Sequence, residues 1–381
     1  MSQALAARAR ELVRTDPVLT IATVLAVASC ALVPPDAGYA DYVDLRTLGL
    51  LFSLMTIMAA LSRAGVFRAA GEALISRLRS GTSAILGLVL LPFAASMLVT
   101  NDVALIAFVP FALLVLRMLG LERSSVFTVV MMTIAANLGS MLTPIGNPQN
   151  LYLYSASGMG FGEFVALMLP YALLSATLLV ASVLAYGALH DGLPMTGERP
   201  TLPEAPAVRK RSVAPWAALF ALALAAVAHV VPVPALVAAT VAVALAFDRR
   251  ALAEVDFGLL LTFVAFFVFV GNVGRIGAVD GLLSSLVSGN ELAVSVAASQ
   301  VVSNVPAALL LSGFSSAWDA LIVGTNIGGL GTLIASMASL ISYKQIVSER
   351  PGAAGGYLLR FTAANAAFLG ALVLLALLLM R

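Results

Sequence analysis

Apolar residues run for about twenty positions at a time along most of this chain, and short polar clusters interrupt the runs. A helix needs about 20 apolar residues to cross a bilayer core of about 30 Å. Pro17–Val33, Asp44–Ser62, Phe164–Leu189, Val213–Val230, Val233–Phe247, Phe257–Arg275 and Gly356–Met380 read as single crossings. Ser124–Ser155 and Ser316–Val347 are too long for one straight helix and are broken in the middle. Two further stretches, Thr82–Leu119 and Leu292–Phe314, are interrupted at Thr100-Asn101-Asp102 and Ser303-Asn304-Val305-Pro306. They read as re-entrant hairpins that enter and leave on one side. The pattern predicts an all-α polytopic membrane protein with about nine crossings plus two hairpins.

Composition agrees. Hydrophobic residues make up 61% of the chain and charged residues 10%, against about 25% charged in an average soluble domain. Threading the chain with its N-terminus in the cytoplasm puts all Lys and Arg on the inner side except Arg46, Arg275 and Arg381. That bias is the positive-inside rule. It places the C-terminus outside, in the inner (plasma) membrane, and makes Asp191–Ser212 a cytoplasmic linker. The basic residues are then topology signals, and the net charge of +2 asks for no nucleic-acid partner. The segment Met1–Asp16 lacks a small-residue cleavage site after a short apolar core, so no removed signal peptide is expected. Cys30 is single, and His190 and His229 are far apart; neither a metal site nor a cofactor is expected. With no P-loop, no zinc-protease histidine pair and no Gly-x-Ser-x-Gly elbow, an enzyme is not expected.

The chain contains itself twice. Asp44 stands 19 residues before Arg63, and Asp256 stands 19 before Arg275. "SMLVTNDVALIAF" from Ser96 matches "SQVVSNVPAALLL" from Ser299. "NLGSMLTPIGN" from Asn137 matches "NIGGLGTLIAS" from Asn326. The crossing count starts the second copy on the opposite side, which makes the copies inverted-topology repeats, as in many secondary transporters. The first repeat spans 1–190 (hairpin 82–119, broken helix 124–155). The linker is 191–212. Residues 213–381 hold an extra span and the second repeat (hairpin 292–314, broken helix 316–347). Irregular backbone at membrane depth is tolerated where it is buried in protein or lines a wet cavity. Thr143–Asn150 and Gly328–Ser336 are therefore expected to meet the hairpin tips at one site. Helix N-termini there favour an anion. Asn101, Thr143, Gly146, Asn147, Pro148, Ser303, Asn304, Asn326, Thr332 and Ser336 are the expected substrate residues. Glycines 139, 146, 328, 329 and 331 are expected to allow unwinding.

The stretches "TND" at Thr100, "NLGSMLTPIGNPQNLYLY" from Asn137, "SNVP" at Ser303 and "GTNIGGLGTLIASMASLIS" from Gly324 resemble the ion transporter superfamily. The resemblance is closest to its anion permease or citrate-transporter-like branch, near the arsenite permeases and the divalent anion–sodium symporters. It spans roughly Asp44 to Met380. It implies a scaffold, a transport part that moves elevator-fashion, a homodimer in the lipid bilayer, and a small anionic substrate. Sodium-coupled dicarboxylate symporters carry Ser-Asn-Thr at both tips. Here the asparagines match and the threonines do not, which counts against dicarboxylates and sodium.

Asp102 is the only acid between Glu72 and Glu122. Two readings stand. It is a coupling group for H⁺ or Na⁺, with Thr100 and Asn137 beside it, since a bare charge at this depth is costly. Alternatively, it only caps the second hairpin arm. Arg63 and Arg275 are expected to snorkel, and Glu163 and Asp319 to be first-turn acids. Tyr152 and Tyr154 are expected either to touch substrate or to anchor at the interface. The expected function is proton-coupled secondary transport of a small anion or oxyanion, carboxylate or arsenite-like. The alternatives are a sodium symporter, a sodium/proton antiporter and a passive anion channel.

Overall fold

Polar residues standing just ahead of apolar runs start many of the helices in the computed structural model, which describes residues 16–75, 80–194 and 210–380. Among these residues the regular structure is helical throughout. In chain order the α-helices are α1 (Pro17–Leu32), α2 (Tyr39–Tyr42), α3 (Leu45–Arg63), α4 (Val66–Ile75), α5 (Gly81–Ala95), α6 (Asn101–Met118), α7 (Ser125–Ser140), α8 (Pro148–Ser157) and α9 (Phe161–Leu189). Then follow α10 (Lys210–Val227), α11 (Val233–Phe247), α12 (Arg250–Ala253), α13 (Phe257–Gly274), α14 (Gly277–Val287), α15 (Glu291–Val302), α16 (Asn304–Leu311), α17 (Trp318–Ile327), α18 (Met337–Glu349) and α19 (Ala354–Leu379). The expected linker lies mostly outside the described residues, as do Arg8, Arg10, Arg14, Arg77, Arg79, Arg199, Arg209 and Arg381.

Four starts are capped by side chains. Asp16 accepts from the Leu19 N–H at 2.9 Å, Asp44 from Thr47 at 3.0 Å, Ser80 from Ser83 at 3.2 Å and Asp256 from Leu259 at 2.9 Å. Such caps satisfy donors that no intrahelical carbonyl can reach. Asp44 and Asp256, matched in the sequence, have nearly the same backbone (φ −74°, ψ 87° and φ −76°, ψ 84°).

Among the described residues, five helical stretches are long and apolar enough to cross a membrane by themselves: α3, α6, α9, α13 and Pro351–Leu379, which contains α19. The helices α1, α5 and α11 are shorter but apolar. The chain is thus a multi-pass membrane protein. The helical connectors α4 and α14 were not expected; α14 and α15 meet at a bend of 106°.

Both expected hairpins close at their bases. A Cβ on Gly81 would lie 2.2 Å from the Leu193 carbonyl and 3.1 Å from the Leu121 side chain, so α5 begins beside the end of α6. At the second, Ser315 donates to Glu291 at 3.1 Å, joining the start of α15 to the residues after α16. Their arms differ: α6 has 18 residues and α16 has 8, about 12 Å of helix.

The two halves exchange partners. α1 packs on α13 and α11 on α3; hairpin arm α16 packs on α8, and arm α6 on α18. The arginines expected to snorkel are ion-paired. Arg63 reaches Asp248 at 2.9 Å and Glu254 at 2.8 Å; Arg275 reaches Asp36 at 2.7 Å. The Arg275 guanidinium holds the Asp36 carboxyl below its ordinary range. Glu163 accepts from the Gly160 N–H at 2.7 Å, as a first-turn acid does.

Candidate functional site

Four helix starts converge where the halves meet, and none is capped by a side chain. Thr100 precedes α6, Asn147 precedes α8, Ser303 precedes α16 and Ser336 precedes α18. These are among the residue types that cap best, yet none of their side chains accepts a bond from its own helix. Pro148 opens α8, where a missing N–H costs nothing. Ser303 has φ 75° and ψ 154°, a region almost reserved for glycine. The strain turns the chain from α15 into α16 in a single residue.

Two adjoining cavities lie at these starts. The smaller, about 50 Å³, is lined by Asn101, Asp102, Asn147, Pro148, Gln149, Ser303, Asn304 and Ser336, with Asp16 and Asp256 also on its wall. The larger, about 290 Å³, shares Asp102, Asn147, Pro148 and Asp256. It adds Thr100 and an apolar wall from α3 that includes Leu51, Leu54 and Met58.

Behind the lining, amides and hydroxyls lock the parts together. Asn101 donates to Asn137 Oδ1 at 2.7 Å, and Ser336 donates to the same oxygen at 2.9 Å. Asn326 donates to Asn150 Oδ1 at 2.6 Å. The last two bonds run between halves. Within the first half, Asn147 donates to Ser140 at 2.6 Å and Thr143 donates to the Met97 carbonyl. In the second, Gln300 donates to the Gly328 and Leu330 carbonyls at 2.8 and 2.9 Å and accepts from the Thr332 N–H at 2.9 Å. Thr332 donates to the Gln300 carbonyl at 3.1 Å, and the Asn304 N–H reaches the Ala335 carbonyl at 3.0 Å. Each hairpin is thereby tied to the broken helix of its own half.

The expected site residues fall into two groups. Asn101, Asp102, Asn147, Pro148, Ser303, Asn304 and Ser336 line the smaller cavity, and Thr100 the larger. Asn137 and Asn326 stand behind it, and Thr143 and Thr332 line neither cavity. The donors of Asn326, Thr143 and Thr332 are consumed by the contacts just described, whereas Asn137 accepts twice and its Nδ2 is buried without a partner; Thr332 is exposed. Gly146 permits close packing: a Cβ there would lie 2.0 Å from the Ser140 carbonyl. Gly331, at φ 109°, is the one of the five glycines with a left-handed backbone. The capping reading of Asp102 fails, because no hydrogen bond to its carboxylate exists among the described residues and Oδ1 is buried without a partner. Tyr152 bonds Ser312 at 2.9 Å and Tyr154 the Val227 carbonyl at 3.2 Å. Neither lines these cavities, and both phenols are spent on helix packing rather than on the interface.

Four contributors were missed: Gln149 and Asn150, inside the motif already singled out, and Gln300 and Asp256. Gln300 has a weak signal, a lone amide in an otherwise apolar hairpin arm.

A model of the citrate transporter family matches residues 11–317. Inner membrane protein YbiR of Escherichia coli K12 is 29% identical over 311 residues, 81% of this chain and 82% of its own length. The uncharacterized transporter MJ0456 of Methanocaldococcus jannaschii is 31% identical over 270 residues, 70% of this chain and 72% of its own. Silicon efflux transporter LSI3 of rice (Oryza sativa subsp. japonica) is 36% identical over 137 residues, 35% of this chain and 27% of its own.

Proposed function

The chain belongs to the citrate transporter family and is a membrane transporter, not an enzyme; from that premise we propose that it is a secondary active transporter of a small oxygen-rich anion, driven by protons. The observation that carries this reading is the convergence of four uncapped helix starts on one cavity. The positive end of each helix dipole favours a negative oxygen, as do the first-turn N–H groups that remain after Asn101 Oδ1 accepts from the Asp102 N–H at 2.8 Å and the Ala335 carbonyl from the Asn304 N–H. The family is named for citrate, an oxygen-rich anion, and one relative for silicon efflux.

The architecture we infer is two inverted repeats with two re-entrant hairpins and about nine crossings, N-terminus in and C-terminus out. Its support is that the ion pairs respect the sides it assigns. Arg63 meets Asp248 and Glu254, all inner; Arg275 meets Asp36, both outer; Arg117 meets Glu349 at 3.1 Å, both inner. The crosswise packing of α1 on α13 and α11 on α3 is what a pseudo-twofold axis generates. The tethers from Met97 to Thr143 and from Gln300 to Thr332 favour hairpins and broken helices that move as one body. That is the requirement of an elevator.

Asp102 is the coupling group in this reading. Asp102 lines both cavities, its Oδ1 is buried without a partner, and no hydrogen bond to its carboxylate exists among the described residues. An anion entering beside it and a proton arriving on it neutralise each other, so the two travel together. Asp102→Asn keeps the shape and cannot titrate. Reconstituted in proteoliposomes, it should fold and bind anion but lose uptake driven by a pH gradient. Uptake that requires sodium at fixed pH would replace this reading with the sodium symporter.

A further inference from the structure

The polar lining is not the same from the two halves. Asn101 and Asn304 are matched in the repeat, and so are Asn147 and Ser336. Asp102 has Val305 as its counterpart, and Gln149 has Ala338. At these matched positions the first half alone supplies an acid and an extra amide; Asp256 of the second half also reaches the cavity wall, but its carboxylate accepts from the Leu259 N–H. Gln149 is 1% exposed and lines the smaller cavity, and neither its Nε2 nor its Oε1 has a hydrogen-bond partner. Buried polar groups are almost always paired, and an orphan asks for an explanation. Packing does not provide one here, since the second half fills the matching place with a buried alanine.

We propose that Gln149 contacts the substrate and sets its specificity for oxygen acids that keep at least one O–H at neutral pH. The inference rests on the transporter reading above and adds the substrate class. Helix N–H groups only donate, so they hold bare oxygens, and Asp102, protonated as the anion enters, donates to one as well. An amide presents one donor face and one acceptor face however it is flipped. Gln149 Nε2 thus joins the helix starts on a bare oxygen, while Gln149 Oε1 needs a ligand O–H. An anion without one would leave that acceptor unpaired and pressed against its own negative oxygens. Sites that hydrogen-bond a hydroxyl reject the analogue lacking it far more strongly than apolar pockets reject an added methylene.

Two matched pairs of probes test this with full-length protein in proteoliposomes: hydrogen phosphate against sulfate, and citrate against tricarballylate. The second member of each pair lacks the O–H. Wild type should take up the first member of at least one pair with at least about tenfold preference. Gln149→Met has similar length and no amide. It should melt at the wild-type temperature or higher, because an unpaired buried group is removed, and lose most of that preference. Unchanged preference in Gln149→Met overturns the assignment. So does a lower melting temperature with unchanged uptake, which makes the amide structural. Uptake of no probe by wild type overturns the anion-transport reading itself, and is distinguished by failing before the variant is compared.

Discussion

Two sets of helix starts in this molecule use the same residue types to opposite ends. Asp16, Asp44, Ser80 and Asp256 fold their side chains over the first turn and satisfy its donors, Asp44 and Ser80 at the edges and Asp16 and Asp256 even where they reach the cavity wall. At the centre, Thr100, Asn147, Ser303 and Ser336 do not. Asn147 turns its amide to Ser140 and Ser336 its hydroxyl to Asn137, so they brace the site and leave the N–H groups to whatever enters it. A helix start that has satisfied itself is scaffold. One whose cap is engaged elsewhere keeps its attraction for an anion.

Making a central start resemble an edge start should have the largest effect. Ser303 lines the cavity, and its hydroxyl makes only contacts of 3.4 Å. Ser303→Asp places a carboxylate where the anion would sit. Aspartate caps as well as serine and gains from the dipole, on the order of 0.3–1 kcal/mol. The variant should still fold, read from its helix content, yet anion uptake per folded molecule should fall by about 100-fold or more, a barrier of about 2.7 kcal/mol. Uptake near wild type would mean that this start does not hold the anion.

Stripping an edge start should do the reverse. Asp44→Ala removes the bond to the Thr47 N–H and should cost about 1 kcal/mol of stability, read from a denaturation midpoint. Uptake per folded molecule should not change. A specific loss of uptake would make this edge part of the site.

The smallest effect concerns the outer ion pair. Arg275 lowers the pKa of Asp36 in the folded protein, so the pair stabilises above the unfolded value of about 3.9 and that contribution is lost as pH falls through the folded value. The melting-temperature gap between wild type and Asp36→Asn should stay constant from about pH 8 to pH 5 and close below about pH 4. A gap that opens only in acid would reverse the sign and remove the pair from the account. Both groups are substantially exposed, at 44% and 45%, so the gap should be small and should shrink in salt.

The difference between edge and centre was only half legible in the sequence. Asp44 and Asp256 announced themselves by identical spacing and by standing ahead of apolar runs. The asparagines at the tips did so by being costly at such depth. The destination of each donor was not legible. Thr143 and Thr332 look like site residues until the fold brings the Met97 carbonyl and Gln300 within reach. Side-chain bonds between residues 30 or more positions apart leave no local pattern. Asp102 was ambiguous for a related reason. An acid two residues past a helix start is as good a local partner as a site group, and only the folded arrangement shows its carboxylate unbonded. The connectors α4 and α14 were missed because they are too short to register as crossings and too apolar to stand out as loops.

Amide hydrogen exchange of the full-length protein in nanodiscs tests the central claim most directly. The readout is the first turns of α6, α8, α16 and α18, with and without hydrogen phosphate, citrate or arsenite. At least one of these ligands should protect all four turns together and leave the capped starts of α3 and α5, which line neither cavity, unchanged. Protection that appears at those capped starts alone, or at none of the six with any of the three ligands, would contradict it.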